Sequence, residues 1–202
     1  METVQRTYRG VSAEARRQER RHRLIEAGME IFGTTGYRTA TVESVCARAE
    51  LTKRYFYESF SSSEDLLLAV YAHTDEKLRK TVETAVASAG PDPHDIIRTA
   101  LTELFSALQA DHRLARLLFV EILGVSPAVD AAYQRTSLAW GDTIAALLAG
   151  WDPPGVRRDL LATAILGAVI GAAVRWSLEE YADPMEDIVQ ALRTLFAAAL
   201  SA

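Results

Sequence analysis

Apolar residues recur along this chain at intervals of three and four, in every segment between its glycine and proline breaks. That rhythm puts one stripe of a helix against a core. No segment sustains the two-residue alternation of a half-buried strand, and no Asn-Gly or Asp-Gly hairpin turn occurs. Breaks fall at Gly36, at Gly90-Pro91-Asp92-Pro93, at Gly124 to Pro127, at Gly150 to Gly155 and at Asp183-Pro184, with a softer one at Asp111-His112. The spacing predicts an all-α fold of nine helices.

The first helix is expected over about 13–35. Arginines crowd its front, Leu24, Ile25, Gly28, Ile31 and Phe32 form its buried rear, and Gly36 is a left-handed stop. Two short helices follow, over 42–49 with Thr41 as N-cap and over 52–58. A capping-box pattern, Ser61-x-x-Glu64, opens a longer helix reaching about 89. Further helices are expected over 94–110, 113–123, 128–149, 156–181 and 184–200. The last has Asp183 as N-cap and Pro184 at its first position, where the missing N–H costs nothing.

The short pair carries the chemistry. In TVESVCARAELTKRYFYESF, residues 41–60, the inward set is Val42, Val45, Cys46, Leu51, Phe56 and Phe60. Thr52, Lys53, Arg54, Tyr55 and Tyr57 are left outward on the second helix. This is a helix-turn-helix pattern, in which the first helix braces and the second meets the major groove. Hydroxyls and a lysine suit phosphate oxygens, and an arginine can grip a guanine edge with two hydrogen bonds. A lone two-helix signal also fits any helical bundle, and Cys46 and Phe56 read as core.

Charge changes the picture more than composition does. The 202 residues are 49% apolar and 24% charged, which suits one domain or two small ones sharing a core. The net charge of -5 hides an asymmetry. Residues 1–57 hold 11 Lys+Arg against 7 Asp+Glu, whereas 58–202 hold 11 against 20. A basic front and an acidic rear fit a molecule that meets a polyanion at one end. The leading arginines Arg6, Arg9, Arg16, Arg17, Arg20 and Arg21 read either as an arm touching phosphate or the minor groove, or as a solvated helix face paired with Glu14 and Glu19.

The single cysteine excludes an intrachain disulfide and a Cys-based zinc cluster, and a reducing compartment follows. METVQRTYRG has no apolar signal-peptide core, so the expected location is cytoplasmic. Residues 160–174 are 15 uncharged residues, short of the roughly 17–25 that span a membrane. They read as a packed helix in water, with no membrane partner. The four histidines, at 22, 73, 94 and 112, are scattered, and no His-x-x-x-His, Gly-x-Ser-x-Gly or phosphate loop is present. No catalytic residue, metal site or cofactor is expected.

From Leu24 to Leu67 the chain resembles the DNA-binding domain of the tetracycline-repressor-like (TetR) family. Leu24-Ile25, Ala27, Ile31-Phe32, Gly36-Tyr37, Thr41-Val42, Ala47-x-Ala49, Leu51-Thr52-Lys53, Phe56-Tyr57-x-x-Phe60 and Glu64-x-Leu66 carry the likeness in order and spacing. Three positions depart from the family pattern: Glu50 stands where glycine is usual, Ser63 where lysine is common, and Ser59 where an aromatic or histidine is usual. If the turn needs positive φ, Glu50 carries about 1 kcal/mol of strain.

The resemblance implies a nine-helix TetR-like fold. An arm at 1–17 would precede a three-helix DNA-binding domain at 18–78 and an effector-binding and dimerisation domain at 79–202. It implies a homodimeric regulator, read first as a repressor released from a palindromic DNA operator by a small-molecule effector; the alternatives are a constitutive DNA-binding regulator without effector and a helical carrier or enzyme using the C-terminal cavity. Thr41, Thr52, Lys53 and Tyr57 would bind phosphates, and Arg54 and Tyr55 would read bases. The candidate cavity lining is Tyr71, Phe105, Phe119, Tyr133, Trp140 and Trp176, with Glu121 and Arg175 as anchors for a charged group or as a pair. An apolar lining suggests a lipophilic or aromatic effector. Gly167, Ala168, Gly171 and Ala172 would let helices of two subunits approach closely.

Overall fold

The computed structural model describes residues 13–147 and 155–201, and every regular element among them is helical. Arg6, Arg9 and the 150–154 break lie outside the described residues. Helix α1 (Ala13–Thr34) buries Leu24, Ile25, Ala27, Gly28, Met29 and Phe32. The amides of Thr35 and Gly36 both return to the Ile31 carbonyl, at 2.9 and 3.1 Å. Gly36 has φ 99°, ψ 147°, a region open essentially to glycine alone. A Cβ there would also come within 2.7 Å of the Arg116 guanidinium.

After a 3₁₀ turn (Tyr37–Thr39), α2 (Val42–Ala49) starts on a full capping box. The Thr41 hydroxyl accepts from the Ser44 amide, and the Ser44 hydroxyl accepts from the Thr41 amide, each at 3.1 Å. Glu50 ends the helix at φ 52°, ψ 44°, so the turn does need a left-handed residue. Arg23 reaches over to the Ala49 carbonyl at 2.5 Å and lies 3.6 Å from the exposed Glu50 carboxylate. An exposed pair of that kind contributes little. Glu50→Gly should therefore raise the unfolding free energy by up to about 1 kcal/mol, less the extra chain entropy of glycine. Thermal denaturation checks this, and an unchanged or lower Tm would contradict it.

Helix α3 (Lys53–Ser59) sits across α1 and α2, with Phe56 fully buried. The long α4 (Ser63–Val86) starts one residue away from the expected box: Ser62, not Ser61, accepts from the Asp65 amide at 3.1 Å. Asp65 reaches back to the Ser61 amide at 2.9 Å, so Asp65 does the work expected of Glu64.

Helix α5 (Pro93–Ala110) has Asp92 as N-cap and Pro93 at its start. The helix expected over 113–123 is in fact α6 (Arg113–Arg116) followed by a π-helical turn (Leu117–Glu121). Apolar periodicity cannot reveal that wider turn, which shifts the faces of the residues after it. Helices α7 (Pro127–Leu147), α8 (Arg158–Leu178) and α9 (Met185–Ser201) complete the rear. Helix α8 stops before the expected 181 because Glu180 and Tyr181 turn left-handed, at φ 54° and 61°. Tyr181 then stacks on exposed His112, ring centroids 4.0 Å apart.

Helix α1 packs against α2, α3, α4 and α6, while α4 continues into the rear against α5 and α7. The basic front and the acidic rear thus share one continuous helix. Helix α8 is long and apolar enough to cross a membrane by length and composition, and 28% of that window is buried. Ala162, Ile165, Val169, Ala173 and Trp176 face the core. Leu160, Gly167, Gly171 and Leu178 form an exposed stripe on the other side, and exposed Leu195 lies on α9.

Candidate nucleic-acid interface and cavity

Helix α3 presents its polar side outward because Phe56 and Phe60 hold its other side in the core of α1, α2 and α4. Thr52, Lys53, Arg54 and Tyr57 are all exposed. The Thr52 hydroxyl makes no capping bond, and the exposed Thr41 heads α2 beside it. Lys53 pairs with Glu43 of α2, which raises the ammonium pKa and holds the carboxyl below its usual range. The Arg54 side chain is 84% exposed, and its Nε donates to Glu58 at 3.0 Å. Both pairs are solvent-screened and readily exchanged for phosphate or base contacts.

Tyr55 departs from the expectation. It is half-buried, with the Arg20 guanidinium 4.5 Å above its ring. Arg17 donates to the Glu58 carbonyl at 3.3 Å, Arg20 lies 3.8 Å from the Glu58 carboxylate, and Arg21 covers Phe60 at 4.8 Å. The described leading arginines at 17, 20 and 21 therefore brace α3 rather than pairing with Glu14 and Glu19. Their three- and four-residue spacing ahead of Leu24 was the available signal. Cys46 is buried, and desolvation pushes its thiol pKa up, so it packs rather than reacts.

The rear holds a cavity of about 150 Å³ among α4, α5, α7 and α8. Tyr71, Phe119, Tyr133 and Trp140 line it, as expected. The other four candidates do not. Phe105 and Trp176 are fully buried against each other, ring centroids 5.6 Å apart, with the indole Nε1 donating to the Asp183 carbonyl at 2.9 Å. Arg175 is exposed on α8, donating to Asp183 and Glu179, and only rims a shallow groove beside the cavity. Glu121 points the other way, toward α1, and does not pair with Arg175.

Sequence reasoning missed the role of Glu121. Its carboxylate accepts from the Tyr37 amide at 2.8 Å and from Arg116 Nε at 2.7 Å, while Arg116 also donates to the Thr34 carbonyl at 2.6 Å. Arg38 reaches the Gly124 carbonyl at 3.2 Å. The π-helical turn thus touches both regions, with Leu118 and Phe119 on the cavity and Glu121 on the end of α1. Glu121→Ala should cost about 1–3 kcal/mol, chiefly through the unpaired Tyr37 amide. It should also blunt any response of the front to cavity occupancy. Denaturation and DNA titrations with and without a cavity ligand check both, and an unchanged response would contradict the coupling.

Gly167 and Gly171 are exposed on α8, Ala168 and Ala172 are half-buried beside them, and a Cβ on either glycine would meet nothing. His22 and His73 meet edge to face at 5.8 Å, with the Glu26 carboxylate 3.2 Å from His73. No metal-holding group of side chains occurs among the described residues.

Two family models match. One, described as "Bacterial regulatory proteins, tetR family", covers residues 24–70. The other, described as "MftR C-terminal domain", covers residues 91–200. Over 174 residues the chain is 26% identical to the HTH-type transcriptional repressor DhaR of a Mycobacterium species, covering 84% of this chain and 88% of that protein. It is 30% identical over 128 residues to the HTH-type transcriptional activator FasR of Mycolicibacterium smegmatis, covering 63% and 58%. The solved FadR of Bacillus subtilis, in complex with stearoyl-CoA, shares the fold with a TM-score of 0.74 at 18% identity, covering 89% of this chain and 97% of that one. The fatty acid degradation regulator FadR of Bacillus halodurans does so at 0.78 and 17%, covering 90% and 95%.

Proposed function

This chain belongs to the TetR family of DNA-binding transcriptional regulators, and on that premise we propose that it is a homodimeric repressor, released from a palindromic operator when a small lipophilic molecule enters the rear cavity. One surface supports the DNA role above all: the outward face of α3, with Thr52, Lys53, Arg54 and Tyr57 exposed on a braced two-turn helix. In this reading Thr41, Thr52, Lys53 and Tyr57 hold phosphates, and Arg54 reads a base edge in the major groove. Tyr55 acts from beneath Arg20 by fixing the pitch of α3, with any base contact confined to its hydroxyl end.

The reading unit is assigned to 18–78 and the effector and dimer unit to 79–202, with α4 shared between them. The exposed apolar stripe of α8 and α9 supports a two-fold interface, since a monomer would leave Leu160, Leu178 and Leu195 in water. The protein would work in the cytoplasm, where its operator is.

The test is selection of bound fragments from a genomic library, followed by footprinting. The expected product is one palindrome whose half-sites are about 34–36 Å apart, or a multiple of that. Bound fragments with no shared sequence would overturn the reading.

A further inference from the structure

The cavity wall has a definite chemistry. Its surface is aliphatic and aromatic, from Leu101, Leu104, Phe119, Ile144 and Ile170 among others, and its lining contains no Lys, Arg or His. Two carboxylates approach it, Asp75 and the exposed Glu83. Asp75 is already engaged: the Trp140 indole donates to it at 2.7 Å, and Arg79 lies 3.9 Å from it. Arg79, which is not part of the lining, lies over the Trp140 ring at 4.2 Å and donates to Thr143. An incoming anion would find no cation to replace its water and would face two acidic groups. An incoming cation would find Asp75 taken and Glu83 exposed, where water screens any pair it could make.

The remaining polar groups are hydroxyls, on Tyr71, Tyr133, Thr136, Ser137 and Thr143, and little of the exposed wall is polar. Tyr71 is buried beside Thr136, and burial pushes its phenol up to about 12, so it stays neutral. It can exchange one hydrogen bond with a hydroxyl or carbonyl. Size narrows the class further. An apolar cavity of ~150 Å³ is on the scale of one that takes benzene; this cavity has that volume and opens to solvent on one side, so a longer chain would have to protrude. A stearoyl chain exceeds it.

We infer that the cavity takes a small neutral molecule, about the size of a singly substituted benzene ring and bearing at most one hydroxyl or carbonyl, and that it rejects fatty-acyl-CoA esters and small carboxylates. The inference rests on the reading of this cavity as the effector site. Selectivity comes from what the wall lacks: no cation, and no room for a long chain.

Calorimetry on the full chain tests it with an isosteric set: ethylbenzene, phenethyl alcohol, phenylacetate and phenethylammonium, with stearoyl-CoA beside them. Ethylbenzene and phenethyl alcohol should bind and raise Tm. Phenylacetate and phenethylammonium should bind more than about tenfold more weakly, and stearoyl-CoA should give no heat. Tyr71→Phe should weaken phenethyl alcohol and leave ethylbenzene unchanged. Ala100→Trp, which fills the cavity, should abolish binding of both neutral compounds while far-UV circular dichroism stays native. Charged compounds binding as tightly as the neutral ones, in a manner blocked by Ala100→Trp, would overturn the ligand class and leave the effector site standing. Neutral binding that survives Ala100→Trp, or no binding by any compound, would overturn the effector site itself.

Discussion

Gly171→Glu should leave the subunit folded but monomeric, and it should weaken operator binding by about 10²–10⁴-fold. A Cβ at this position meets nothing within the subunit, and the residue is exposed midway along the apolar stripe of α8. The folded monomer therefore has no reason to resist the change. Across a two-fold axis the same substitution puts two carboxylates into one close helix seam, where Arg175 one turn on is already held by Glu179 and Asp183. Binding two half-sites through one rigid dimer makes the second contact intramolecular, and that gain disappears with the seam. Sedimentation velocity reads the assembly and fluorescence anisotropy reads the DNA. A variant that stays dimeric would place the interface elsewhere.

Trp176→Ala should lower the unfolding free energy by about 3–5 kcal/mol. Trp176 is fully buried in α8, lies 5.6 Å from Phe105 and 4.8 Å from Tyr181 between ring centroids, and satisfies its indole N–H on the Asp183 carbonyl. Truncation leaves a large cavity in tightly packed surroundings and an orphaned carbonyl where α8 turns into α9. Because the side chain lies outside the ligand cavity, affinity for a cavity ligand should change far less than stability. Urea denaturation beside calorimetry separates the two. A variant of native stability with lost ligand binding would return Trp176 to the ligand site.

Trp176 also marks the point where sequence reasoning reaches its limit. The short apolar repeat made the helices legible because local spacing decides them, whereas the reading head became legible through the family resemblance from Leu24 to Leu67, since two short helices alone fit any bundle. Thr41 as N-cap followed from a single position with one physical solution, and the left-handed turn at Glu50 from the family resemblance, which has glycine there. Trp176 and Trp140 are indistinguishable as sequence, since each is an aromatic on an apolar helix. Only the crossing of α5, α7 and α8 decides that one packs on Phe105 while the other lines the cavity. Glu121 looked like a ligand anchor because it interrupts an apolar run. The π-helical turn rotates it toward the Tyr37 amide, 84 residues away in sequence. Arg175 looked like an anchor for the same reason, but it stands on the exposed side of α8 with Glu179 and Asp183.

The most direct test of the central claim, that α3 reads DNA, is anisotropy of the selected operator against a scrambled duplex over a salt series. Wild type would be run beside Lys53→Ala and Arg54→Ala. Lys53→Ala should weaken both duplexes alike and lower the salt slope by about one, as loss of a phosphate contact does. Arg54→Ala should cost about 1–3 kcal/mol on the operator and narrow its advantage over the scrambled duplex. Operator affinity and salt slope unchanged by either substitution would contradict the account, because DNA would then be held by some other surface.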